Sequence, residues 1–553
     1  MATEAQARIN EEISGHILSI CDLRTRWNTL SLISRLPTET LATIFVHYAR
    51  DYHSKHRGCP TSTVPSWVDV SYVCRHWRDV ALNCPTLWTY IFLVSQRWTE
   101  ELLARSKKAL IKICILFGSS DDASLWLNSV EKVMDHMDRI QELRLHLPAT
   151  CAHDILSKLP SRAPHLQNLE ISVRGNPNER SFVLFDGGTP ALRTLELTDC
   201  PVPLPLFKLS ALTTLNLHHS LGRSQQNLAE FLAMLRCMQD LTYLYLNLNR
   251  ALPGSPEFIS SAAFNTLQKI HLPHLSRLLI AAPLSTVIAL LSCVNIPLQT
   301  EVRLTCHSER GSSVDRYALL SSLLVERFRM SEDQALSSPA IRSLVIDSVS
   351  VEGGARLTFS GSERSCDSVF TSRKQWGSNI PLQIVLDRLR ADSDRIISDI
   401  CCSIPLTHVQ SVHVLRPPIS STFWTRALGD LQGLRYIKLS QGNIPELASV
   451  LRLTPHDPAE KQGGHADRGS NRIFAPALEE LELYEIEFST EPPERDMDIL
   501  ATNVVRSLCD ALSTRKEPRG RLIMTRCTER NSKKTFDADG WWEGGGFHVP
   551  KQA

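Results

Sequence analysis

From residue 140 onward the chain repeats one arrangement of apolar and polar positions, apolar-x-x-apolar-x-apolar, usually introduced by Pro-x-Leu or a polar residue. It runs as Ile140–Leu145, Leu166–Ile171, Leu192–Leu197, Leu212–Leu217, Leu241–Leu246 and Leu267–Leu272. Looser copies follow at Ile341–Ile346, Val409–Val414, Leu434–Leu439 and Leu478–Leu483. The middle positions of the first six lie about 26, 26, 20, 29 and 26 residues apart, a period that marks stacked repeats. Each phrase ends in a period-2 alternation, which predicts a short strand with one face buried. Helical patterns such as Leu228, Phe231, Leu232 and Leu235, or Val504, Leu508 and Leu512, lie between phrases. A unit of one strand and one helix cannot bury its own apolar face, whereas stacked copies can, with strands in a parallel sheet and helices outside.

The same pattern reading predicts a different beginning. Ile9, Ile13, Ile17 and Ile20 share a helical face that must pack on something, either the helices that follow or a second molecule. Pro37, Thr38 and Glu39 then make a favoured helix start, and Leu41, Ile44 and Phe45 fall on one face behind it. Val70, Val73, Cys74 and Trp77 form a second stripe, and the block closes with Leu87 and Trp88. Glu101–Lys108 reads as a connecting helix and Leu110–Phe117 as the first strand of the array.

The block has four elements in order: Leu36-Pro37, an apolar helix, Val73-Cys74-Arg75-His76-Trp77 and Leu87-Trp88. It resembles an F-box, more narrowly the F-box-like domains of mushroom-forming fungi, although the insertion Ala49–Ser66 is longer than in compact members. The later phrases resemble degenerate leucine-rich repeats that mostly lack the repeat asparagine. The expected fold is therefore α/β: all-α F-box-like helices followed by an irregular leucine-rich-repeat solenoid with a parallel sheet. The expected boundaries are an N-terminal amphipathic helix at 1–31, the F-box-like domain at 32–92, a connecting helix at 93–109, one continuous array at 110–528 and a tail at 529–553.

The resemblance implies a non-catalytic substrate-receptor subunit of an SCF-type ubiquitin ligase. Leu36, Pro37, Leu41, Ile44 and Phe45 would face the adaptor subunit and, through it, a cullin. Val70, Val73, Trp77, Leu87 and Trp88 would be partly core and partly interface, while the repeat face would select an unknown target protein. An interaction scaffold of the same fold without a ligase role is the alternative reading of the same residues.

Composition narrows the field further. With 60 basic and 59 acidic residues the net charge is +1, which offers no global attraction to nucleic acid or an anionic membrane. The 15 cysteines are scattered, with no C-x-x-C spacing, and the polar N-terminus has no apolar signal core, so reduced thiols in the cytoplasm or nucleus are expected. The uncharged stretch between Arg277 and Glu301 is long enough to span a membrane, but Pro283, Asn295 and Pro297 divide it, so a buried strand and helix are expected. Phosphate-binding, nucleophile-elbow and zinc-protease motifs do not occur. His53-x-x-His56 and His271-x-x-His274 lack further ligands at zinc spacing and read as loop and strand-end histidines. No catalytic residue, cofactor or metal site is predicted. Glu352–Asn379 and Pro455–Asn471 read as flexible loops, and Trp541-Trp542 as a cap on the open end of the array.

Overall fold

A computed structural model describes residues 3–55, 65–92, 95–116, 123–175, 185, 188–200, 209–219, 228–248, 250–252, 269–309, 314–328, 341–352, 354–363, 381–389, 393–416, 421–429, 431–441, 444–451, 474–488, 508–513, 520–529, 535–543 and 546–548. The chain divides into two compact units, Met1–Gln226 and Asn227–Ala553.

Among its described residues the first unit has six α-helices, the last three of them interleaved with strands. These are α1 (Glu4–Thr29), α2 (Thr38–Lys55), α3 (Arg75–Leu82), α4 (Gln96–Arg105), α5 (Ala123–Met134) and α6 (Ala149–Leu156). Thr3 and Gln6 form a reciprocal capping box at the start of α1. Between α2 and α3, Ser66–Tyr72 is a 3-10 helix. The stripe predicted through Val70, Val73, Cys74 and Trp77 is thus two elements. Cys74 breaks it, taking an extended backbone as the N-cap of α3, where its sulfur accepts from the Trp77 N–H at 3.5 Å. Cys74 is a cap, and half-buried, where the sequence suggested a small core residue.

Six parallel strands follow in sheet order: β1 (Tyr90–Phe92), β2 (Ile111–Leu116), β3 (Ile140–Pro148), β4 (Asn168–Arg174), β5 (Thr194–Thr198) and β6 (Thr214–His218). The phrase leucines stack in register, Leu143 on Leu169, Leu195 and Leu215, and Leu145 on Ile171, Leu197 and Leu217. All eight are buried. Fully burying each such side chain is favourable by roughly 1.5–3 kcal/mol, which offsets much of the entropy of ordering a repeat.

The second unit contains α7 (Leu228–Arg236), α8 (Leu284–Cys293), α9 (Val314–Phe328), α10 (Ser393–Ser403), α11 (Ser421–Leu428) and α12 (Ile444–Leu451). Its strands are β7 (Tyr243–Asn247), β8 (Ile270–His271), β9 (Arg277–Pro283), β10 (Val294–Asn295), β11 (Glu301–His307), β12 (Ser343–Val351), β13 (Gly354–Ser362), β14 (Leu382–Leu389), β15 (Ser411–Leu415), β16 (Tyr436–Ser440), β17 (Glu480–Tyr484), β18 (Glu487–Phe488), β19 (Gly520–Glu529), β20 (Thr535–Glu543) and β21 (Gly546–His548). The main sheet runs β7-β9-β11-β14-β13-β12-β15-β16-β17-β19-β20-β21. It is parallel apart from the pairs that β13 makes on both sides and the final β19-β20-β21 meander.

One tight turn introduces the phrases of both units. The first apolar residue donates its N–H three residues back, as in Leu166 to Ala163, Leu192 to Thr189, Leu241 to Met238, Val409 to Leu406 and Leu478 to Ala475. The next residue then donates at 2.8 Å to the preceding strand's entry, as Arg193 does to Gln167 and Arg435 to Gln410. At the other end, Asp199, His219, Arg416, Gln441 and Glu485 each follow a strand in the left-handed region, at φ between 50 and 54. That conformation is costly for non-glycine residues. Here it carries the ladder one step further, Asp199 donating to His218 and Arg416 to Ser440, each at 2.8 Å.

Two expectations change and a third holds. Of the phrase Leu267–Leu272, the described Ile270 and His271 pair with β10. The main-sheet strand is β9, from the phrase Leu275-Ser276-Arg277-Leu278-Leu279-Ile280, whose Leu275 makes the same turn by donating to Leu272. The segment read as flexible, Glu352–Asn379, contains β13, clamped between β12 and β14 and buried from Leu357 to Ser362 apart from its half-buried Thr358. Gly354 is obligatory at its start: φ is +151, and an added Cβ would stand 2.4 Å from the Leu389 oxygen. The uncharged stretch after Arg277 is β9 followed by the buried α8, and no helix among the described residues is long and apolar enough to cross a membrane. Pro455–Asn471 lies outside the described residues.

Candidate docking surfaces

The helical block sorts its apolar residues into an inner and an outer set. On α2, Leu41, Phe45 and Ala49 recur every fourth residue and are buried. They meet Trp67, Val68, Val70, Val80, Ala81, Leu87 and Trp88, all buried. Phe45 packs on the half-buried Trp77 with ring centroids 5.0 Å apart, joining α2 to α3. Trp67 and Trp88 meet at 5.4 Å, and the Arg105 guanidinium lies 4.4 Å over the Trp88 ring. Leu41, Phe45, Val70, Leu87 and Trp88 are therefore interior, including Leu41 and Phe45, which the sequence placed on the adaptor-facing ridge.

The outer set is Pro37, Ile44 and Val73, with Leu36 and Trp77 half-buried. Ile44 and Val73 expose 45% and 59% of their surface, values that decide which predicted residues are accessible. Sequence reasoning missed Ile33, Tyr48 and Tyr72, which are also exposed. Tyr48 follows Ile44 by one helical turn, so the 3.6-residue period could have found it. Tyr72 could not have been found, because the break at Cys74 decides where it points.

The insertion is shorter than its sequence suggested. Residues 49–55 continue α2, and His53 on that helix stacks on Tyr90 with centroids 4.0 Å apart and planes 14° apart. It is a half-buried helix residue and not a solvated loop histidine; His56 lies outside the described residues.

The sheets present a second surface, made by the polar residues that alternate with the buried leucines. In the first unit Glu142 pairs with Lys112 at 3.3 Å and Arg144 at 2.6 Å, while Glu170 lies 3.6 Å from Arg144 and 3.4 Å from His146. Burial, then Arg174 and Arg144, hold His146 below the usual histidine range. Burial pushes the Glu196 carboxyl up, with Glu170 adding to it. In the second unit Glu301 pairs with Arg277 and Arg303, Asp347 with Arg416, and Lys438 with Glu482. Burial raises Asp387, but its bonds to Arg356 and His307 outweigh that and leave it low. Acidic and basic groups alternate along both ladders.

Two further groupings were invisible in sequence. The left-handed turns bring Asp199, His218 and His219 together, with ligand atoms within 4.8 Å of one another and the two rings stacked at 4.2 Å. Three such groups fall one short of a closed structural zinc site. The second unit also encloses a cavity of about 450 Å³ lined by residues including Leu244, Leu278, Ile280, Leu290, Val302 and Arg327. Its volume admits a small apolar molecule. Arg327 donates to the Pro297 and Thr300 oxygens, and burial lowers its pKa to about 10.

Residues 33–94 match the family model described as F-box-like. No curated protein matches the chain. The matched span contains every residue sorted above into the inner and outer sets, and it ends beside β1.

Proposed function

We propose that this chain is a substrate-receptor subunit of an SCF-type ubiquitin ligase. The F-box-like match over residues 33–94 carries the reading, because that domain type docks on the ligase adaptor and thence on a cullin. Pro37, Ile44, Tyr48, Tyr72 and Val73 supply the exposed apolar contacts, with Leu36 and Trp77 at their edge. In this reading 32–92 is the docking domain and 110–528 the recognition array, built as degenerate leucine-rich repeats whose alternating charges select a target protein. The chain performs no chemistry of its own; it holds the target near the charged conjugating enzyme and so raises the effective concentration of the reacting groups. A cytoplasmic or nuclear location follows from that role.

The test is co-purification with the adaptor. Replacing Leu36, Pro37 and Ile44 together by Ala is expected to abolish it, since losing several central anchors at about 2 kcal/mol each removes a micromolar or nanomolar complex. A triple variant that binds like the wild type would replace the ligase reading by that of a scaffold.

A further inference from the structure

Among the described residues, the longest helix packs against nothing that buries it. No residue of α1 is buried over its 26 residues. Ile9, Ile13, Ile20, Leu23, Trp27 and Leu30 are between 49% and 77% exposed. An ion pair of Asp22 with Arg75, at 3.6 Å, links it to the helical block beyond residue 35. An isolated helix with four isoleucines and a glycine in its middle is marginal in water, so this apolar face calls for a cover.

The spacing says which cover. Ile9, Ile13, His16, Ile20, Leu23, Trp27 and Leu30 follow one another at steps of four, three, four, three, four and three residues. That is the alternation of the a and d positions of a coiled coil, with His16 as the single polar member and Gly15 off the seam. We infer that α1 pairs with α1 of a second copy of this chain as an antiparallel two-stranded coiled coil.

Charge selects the orientation. Taking Ile13, Ile20 and Trp27 as a, and Ile9, His16, Leu23 and Leu30 as d, Glu12 and Arg26 occupy g and Arg24 occupies e. Antiparallel strands match a with d and flank them with g–g and e–e contacts. Ile9 then faces Trp27 of the second copy, Ile13 faces Leu23, and His16 faces Ile20, so that all three layers share one two-fold axis. The same axis sets Glu12 against Arg26 of the second copy, twice by symmetry, and Asn10 against Arg24. The halves are complementary more broadly: Glu4, Glu11 and Glu12 against Arg8 in the first, Arg24 and Arg26 against Asp22 in the second. A parallel pair would stack His16 on His16 and Trp27 on Trp27, and would set Glu12 against Ile17. At about 1.5 Å per residue the matched layers from Ile9 to Trp27 span about 27 Å, with Leu30 beyond them opposite Gln6. The inference stands apart from the adaptor reading, since α1 lies outside residues 33–94.

Sedimentation of the full chain tests it. The wild type is expected to run at twice 62.1 kDa across the micromolar range. Glu12→Arg or Arg26→Glu alone should each weaken the dimer about tenfold, because two attractive pairs become repulsive, and the double variant should restore it. Ile13→Glu with Leu23→Glu should give a monomer whose β-sheet circular dichroism is unchanged. A monomeric wild type overturns the inference, including the case in which α1 is covered only when the purified adaptor is added. A dimer indifferent to the single charge reversals, or not rescued by the double one, overturns the antiparallel pairing.

Discussion

Trp88 donates its indole N–H to the main-chain oxygen of Ala81 at 2.7 Å, with both residues wholly buried. The Leu-Trp that closes the helical block is thereby fastened to the end of α3, and Arg105 of α4 lies on the other side of the same ring. One side chain thus joins the docking helices to the first connecting helix.

Trp88→Phe should separate the two parts of that role. It keeps most of the apolar volume and removes one bond to the Ala81 oxygen, which still accepts from the Cys84 N–H at 3.2 Å, so a loss of roughly 0.5–1.5 kcal/mol is expected. Trp88→Ala adds a cavity and should cost about 3–5 kcal/mol. Urea titration followed by the change in tryptophan fluorescence measures both. A Trp88→Phe variant as stable as the wild type would mean that the hydrogen bond contributes nothing.

Arg139 fastens the start of the array in a similar way. Its guanidinium donates to Leu103 O at 3.2 Å, Ser106 Oγ at 3.0 Å, Lys107 O at 2.7 Å and Ala109 O at 3.3 Å, thus gathering acceptors at and just past the end of α4. Burial lowers its pKa, with Asp138 working against that. Arg139→Met should cost about 2–3 kcal/mol, and Arg139→Lys should restore less than half, because an ammonium cannot span four acceptors set in a fork. Rescue by lysine to wild-type stability would show that charge alone matters here.

Where sequence and structure part company, the cause is a force that acts between elements. The leucines of Leu166–Ile171 and Leu192–Leu197 were legible because their spacing alone fixes an inward face. Leu267–Leu272 and Leu275–Ile280 fit that template equally well, and only the turn from Leu275 to Leu272 decides between them. Strand β13 was illegible from its Gly- and Ser-rich sequence because its two neighbours supply the hydrogen bonds and the burial, overriding local propensity. On α2 the spacing puts Leu41, Ile44 and Phe45 on one face, yet a helix advances about 100° per residue, so Ile44 and Phe45 diverge once Phe45 is committed to Trp77.

The second unit should lose stability in mild acid through His413. It lies on β15 with Nε2 2.9 Å from Ser440 Oγ, and burial, followed by the nearby Lys438, pushes its pKa down to about 3. Unfolded histidine titrates near 6.5. Between these values the unfolded chain takes up a proton that the folded chain refuses, so the contribution is complete above pH 6.5 and is lost as pH falls towards 3. The slope approaches about 1.4 kcal/mol per pH unit. His413→Gln removes it: the wild type's advantage over the variant at pH 7 should shrink by about 2 kcal/mol at pH 5. An advantage that is constant between the two pH values would show that His413 is freely protonated in the fold.

Ile44 and Phe45 offer the sharpest separation of surface from core, because they are neighbours in sequence. Ile44 is 45% exposed and Phe45 1%, in contact with Trp77. Truncating Phe45 to Ala removes buried aromatic volume and should destabilise the helical block by about 3–5 kcal/mol. Truncating Ile44 to Ala, at a half-exposed helix position where alanine is the better helix former, should change stability by less than about 0.5 kcal/mol. Adaptor binding should order them differently. Ile44→Ala is expected to weaken the complex about tenfold or more while the fold is intact. Phe45→Ala should bind only as far as the remaining folded fraction allows, and recover when the temperature is lowered. Calorimetric titration with purified adaptor at two temperatures, alongside denaturation of each variant, gives both quantities. If Ile44→Ala binds as the wild type does, the outer face of α2 is not the docking surface. If Phe45→Ala weakens binding without loss of stability, the division into inner and outer sets is wrong.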